Sequence, residues 1–158
     1  MRTSFFLPVI ESLERTPSII VPMIRDVPVK LRKRRPALKK WSAHEHACHL
    51  TVVHKLFFER LNLMLAEENP VIRPYWPDKK DEEGALLKMD LDKAMAKFER
   101  DRSRLVKRLR KLRNSDWDRP AIHAEYSPYS VFILFRHVVL HDMLHGYRIE
   151  ELILKKDW

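Results

Sequence analysis

Only two glycines, Gly84 and Gly146, occur among the 158 residues. Phosphate-cradling loops and the dinucleotide-binding fingerprint each need several glycines in a fixed pattern, so both are excluded. The scarcity also argues against a turn-rich β protein. A single cysteine, Cys48, rules out an internal disulfide and suits a reducing compartment. Long apolar runs are missing too. No stretch approaches the roughly 18 residues that suggest a membrane span. The opening MRTSFFLPVIE holds a short apolar run interrupted by Pro8 and ended by Glu11, too short a core for a secretory signal. The expectation is a cytoplasmic protein that makes no membrane contact.

What is present suits one domain over residues 1–158, since 45% of the chain is apolar. Four helical segments stand out. The first lies within residues 5–26, with Thr16–Pro17 reading as a cap followed by proline at the first helical position, and Pro22 as a kink. The second opens at WSAHEH, where Ser42 and Glu45 form an S-x-x-E capping box. Val53, Leu56, Phe57 and Met64 recur along it at helical spacing, and it should stop near Glu68, before Asn69–Pro70. The third carries Leu91, Met95, Phe98, Arg102, Leu105, Leu109 and Leu112, a heptad-like seam. Arg102 is the polar member of that seam. Its stem is expected to cover the seam while its charge reaches water; a charge serving an internal site is the other reading. The fourth helix is expected to start at Ser127–Pro128 and run to about Leu154. Together these predict an all-α four-helix bundle.

Three histidines in HVVLHDMLH, His137, His141 and His145, are spaced by four. At about 100° per residue, His145, Val138 and Ile149 fall within about 80° of His141, so His141 and His145 lie inside the apolar stripe and His137 on its edge. On the second helix His49 falls with Val53, Phe57 and Leu56, and points inward. His46 also points inward, at the fourth helical position, where it should pack back on Trp41. Cys48 is about 100° from His49, which sets the two apart as ligands of one ion. Two imidazoles at i, i+4 with a third from a facing helix make a compact metal site. Spacing alone also allows a metal-free bundle in which the histidines simply pack.

The segment WSAHEHACHL resembles the W-S-x-x-E-x-x-x-H-L entry to the second helix of the DinB-like superfamily, which includes YfiT-type thiol transferases. RPAIHAEYSPYSVFILFRHVVLHDMLHGYRI is similar to that superfamily's closing segment, an H-P-E-x-G-like loop before H-x-x-x-H-D-x-x-H-x-x-Q-I. The likeness covers about residues 5–154. It implies an up-down-down-up bundle and a divalent metal ion held by His49, His141 and His145, with coordination positions left open. Zinc, nickel, iron or manganese would suit three imidazoles. It further implies a metal-dependent transferase or hydrolase acting on a small molecule, such as a low-molecular-weight thiol. His123, Glu125, Tyr75, Trp76 and Arg148 are the substrate-binding candidates, and a homodimer is left open. Asp142, off the His141 direction, is expected to orient a neighbour rather than bind metal. This chain departs from the pattern in having Arg148 for the glutamine, and Ala124 and Ser127 for the proline and glycine.

Formal net charge is +9, with cationic clusters in residues 30–40 and on the third helix. That raises nucleic-acid binding as an alternative. No aromatic interleaving or DNA-binding motif accompanies the charge, so a solvated face without sequence-specific binding is expected. A catalytically inactive structural or stress-related bundle is the remaining alternative.

Overall fold

The computed structural model describes residues 5–75 and 83–157. Its helices are α1 (Phe6–Asp26), α2 (Val29–Arg32), α3 (Ala43–Val52), α4 (His54–Ala66), α5 (Leu91–Leu109), α6 (Asn114–Trp117) and α7 (Val131–Leu154). Two short strands, β1 (Val71–Ile72) and β2 (Ile122–His123), pair in parallel. The bundle consists of α1, the α3–α4 pair, α5 and α7. α3 packs between α5 and α7, and α1 closes the ring on its opposite side. His44 contacts Leu86, Thr51 contacts Ala94 and His54 contacts Arg102, so the second and third bundle helices run in the same direction. His46 meets His145 and His49 meets His141, so α3 and α7 are antiparallel. The topology is up-down-down-up. Among the described residues, no helix is long and apolar enough to cross a membrane.

The expected capping box is present. Ser42 Oγ accepts from Glu45 N at 3.3 Å, and Ser42 N donates back to the Glu45 carboxylate at 2.9 Å. Glu45 is fully buried there, and Arg35 from the basic connector pairs with it through two nitrogens. Burial alone would raise the Glu45 pKa; bonds from Arg35 and Ser42 outweigh it and hold the carboxyl below its ordinary value. Thus one cation of the connector is structural. Most of residues 29–40 and the cationic flank of α5 face solvent.

Four local expectations change. α1 is continuous through Pro17 and Pro22 instead of starting at Thr16–Pro17. Proline has no N–H, so Pro17 leaves the Leu13 carbonyl without its helical partner; Arg102 Nη1 donates to that oxygen at 3.1 Å. The second helix is split at Val53, after the β-branched run Thr51–Val52–Val53, whose side chains crowd a helix. It ends at Ala66 rather than near Glu68. The fourth helix begins at Val131, capped by Ser130 Oγ accepting from Ile133 N. Before it, Tyr129 O accepts from Ala121 N and Val131 N donates to Arg119 O, which keeps this segment extended beyond Ser127–Pro128.

The largest change concerns Arg102. It does not snorkel: it is 1% exposed. Its Nη1 lies 2.6 Å from Asp142 Oδ2, and its Nε donates to His54 Nε2 at 3.1 Å. The pair crosses the bundle where two apolar clusters meet. Leu13, Phe57, Leu105 and Val138 belong to one cluster, and Ile20, Leu50, Phe98 and Ile149 to the other. Removing one partner of a buried ion pair strands the other charge at a cost of about 3–5 kcal/mol. Arg102→Ala should therefore lose about that much stability in chemical denaturation. The double change Arg102→Met with Asp142→Leu should recover most of it, because neither charge is then left buried alone.

Candidate metal centre

α3 presents His49, and α7 presents His141 and His145 one turn apart. His141 Nε2 lies 3.1 Å from His49 Nε2 and 3.1 Å from His145 Nε2. The three donor atoms lie within 4.8 Å of one another. A tetrahedral shell with metal–nitrogen bonds of about 2.0–2.1 Å places its nitrogens roughly 3.3 Å apart. The two spacings through His141 match that geometry, and the third lies within 4.8 Å. As a purely hydrogen-bonded cluster it is poorly matched, since one His141 nitrogen would have to serve both neighbours. The donor set is imidazole nitrogen throughout, which suits a divalent ion of borderline softness.

Two of the three rings, His141 and His145, have a polar group behind them, whereas His49 Nδ1 is buried without a hydrogen-bond partner. The Asp142 carboxylate lies 3.5 Å from His141 Nδ1. His46 Nδ1 lies 2.8 Å from His145 Nδ1. With the His145 Nε2 lone pair turned to the cluster, its proton sits on Nδ1 and donates to His46. Trp41 packs as expected against His46, with ring centroids 5.5 Å apart, and also covers His49 at 4.8 Å and His145 at 6.0 Å. Phe57 meets His141 edge-on at 5.9 Å.

Burial sets the electrostatics. His49 and His145 are buried, and His141 is half-buried. Burial, then the neighbouring His141 and His46, pushes His49 down to about 3. Burial, His141 and His49 push His145 well below the ordinary imidazole value. His46 falls to about 4, chiefly by burial. These rings keep their lone pairs at neutral pH. Asp142 stays below the usual carboxyl range because Arg102 and His141 outweigh the burial that would raise it.

Beside His141, a cavity of ≈ 440 Å³ opens between α4, α7 and the loops joined by β1 and β2. Three of the substrate candidates, Tyr75, His123 and Glu125, line it. Arg148 does not. It is exposed, bonded to Glu151 at 2.6 Å, and lines a second groove beyond Trp41 and His46. Trp76 lies outside the described residues. Arg60, Tyr126, Tyr129 and His137 also line the cavity and were not among the candidates. Arg60 follows Val53 and Phe57 at helical spacing, and that signal could have found it. The tyrosines are placed by the extended segment before α7, which has no helical periodicity to read.

The family model of the DinB superfamily matches residues 12–149. The chain belongs to the DinB superfamily. A protein of Oceanobacillus iheyensis named "Putative metal-dependent hydrolase" is 29% identical over 122 residues, covering 75% of this chain and 68% of that one. The structure of YfiT from Bacillus subtilis, described as a probable metal-dependent hydrolase with an unusual four-helix bundle topology, superposes with a TM-score of 0.82. It is 23% identical and covers 92% of this DinB-superfamily chain and 83% of its own.

The depressed histidines make a pH prediction for the metal-free protein. Their folded pKa values lie below the ordinary value of about 6.5, so below that pH the unfolded chain binds protons that the native state refuses. Stability should be full above about pH 6.5 and fall as pH drops toward the folded values. His54 isolates the effect away from the cluster. Burial and Arg102 push it down to about 3. His54→Gln keeps an acceptor for Arg102 and should flatten the pH slope of the denaturation midpoint; an unchanged slope would show that His54 titrates alike in the native and unfolded states.

Proposed function

We propose that the chain is a metal-dependent hydrolase of small molecules, with one divalent ion held by His49, His141 and His145. The observation that carries this is the convergence of three imidazole Nε2 atoms beside a cavity. A bound divalent ion supplies Lewis acidity and lowers the pKa of water or of a thiol. Asp142, itself held by Arg102, orients His141, and His46 accepts from His145. Trp41 and Phe57 cover the cluster and limit water. His137 lines the cavity and is held below its ordinary pKa by burial, Arg136 and His123, so it is neutral and able to accept a proton. Thiol transfer is a second use of the same centre, and the activity assay includes it.

Protein purified without a histidine tag should carry about one divalent ion per chain by elemental analysis. His49→Ala, His141→Ala and His145→Ala should each lose it, together with hydrolysis of an ester, amide and lactone panel. His46→Ala should keep the ion but bind it about 10–100-fold more weakly, the usual effect of removing a group that orients a ligand. Full occupancy in His49→Ala would overturn the ligand set. Turnover of thiol–acceptor pairs without hydrolysis would move the chemistry to transfer.

A further inference from the structure

We infer that the cavity beside His141 is a subsite for a small carboxylate with a flat apolar body, its carboxylate held by Arg60. The inference rests on the three-histidine centre as the reacting end of that cavity. Arg60 reaches the cavity from α4 and is half-buried. Its Nη2 donates to the Arg73 carbonyl at 2.7 Å, and its side chain bonds Tyr129. Two anchors therefore hold the guanidinium, yet no ion pair to a carboxylate among the described residues is found at it. A fixed, half-buried cation with no ion pair among the described residues favours an anion, and a guanidinium matches a carboxylate through two parallel bonds.

The walls select the rest of the molecule. Phe57, Leu134 and Val138 provide apolar surface, and the Tyr126 and Tyr129 rings flank His123 at 4.8 and 4.7 Å. Such a wall accepts a flat ring in stacked or edge-on contact. Glu125, exposed on the same cavity, repels a carboxylate and directs it toward Arg60. His141 lines the same cavity. The fitting class is an aromatic or similarly flat carboxylate bearing an ester or amide bond that can reach the centre.

Benzoate and its neutral isostere benzamide are the probes, titrated by calorimetry into wild type and into His49→Ala. The latter removes the ion as an alternative carboxylate partner. A charge-assisted bond contributes about 1.5–3 kcal/mol, so benzoate should bind at least about tenfold more tightly than benzamide in both proteins. Arg60→Gln should abolish the preference and Arg60→Lys should retain part of it, with circular dichroism confirming that both variants are folded. Equal binding of the two probes in His49→Ala, or an unchanged preference in Arg60→Gln, would overturn the subsite. Loss of the preference in His49→Ala alone would assign the carboxylate to the ion, ending this inference while leaving the metal centre intact.

Discussion

A single guanidinium links every helix of this bundle. Arg102 stands on α5, pairs with Asp142 on α7, donates to His54 on α4 and fills the Leu13 carbonyl on α1. Burying such a charge is expensive, and an apolar replacement of both partners would lose little stability. Its contribution is to geometry. The pair holds Asp142 inside the bundle, with its carboxylate 3.5 Å from His141 Nδ1.

The proline in α1 belongs to this design. A helix interior ordinarily offers no spare carbonyl to a neighbouring helix. Pro17 frees the Leu13 oxygen by withholding its own N–H, and the arginine uses it. A residue that would weaken an isolated helix therefore supplies an acceptor that the buried guanidinium needs.

Burial gives the histidine cluster its chemistry. Imidazoles left in water would be partly protonated in mild acid and would repel one another. Packed under Trp41, His49 and His145 remain neutral and offer lone pairs. A divalent ion would recover the electrostatic cost of bringing three such rings together. The adjoining cavity differs in character, with aromatic walls and a held cation.

Much of this was legible along the chain. Helical periodicity marked the four bundle helices, the S-x-x-E box marked the start of α3, and the spacing of His141 and His145 with an inward His49 marked the cluster, because each of these signals is local. Three things were decided only by the tertiary structure. Arg102 looked like a surface cation on an apolar seam; its burial depends on Asp142 and Leu13, both far away in sequence. His46 looked like packing for Trp41; its bond to His145 needs α3 and α7 to cross at that level. The cavity joins Arg60 to Tyr126, Tyr129 and His137 through a two-residue strand pairing too short to leave a pattern. Sequence periodicity specifies which face of a helix is buried, but the partner of a buried polar atom is chosen by the three-dimensional crossing of helices.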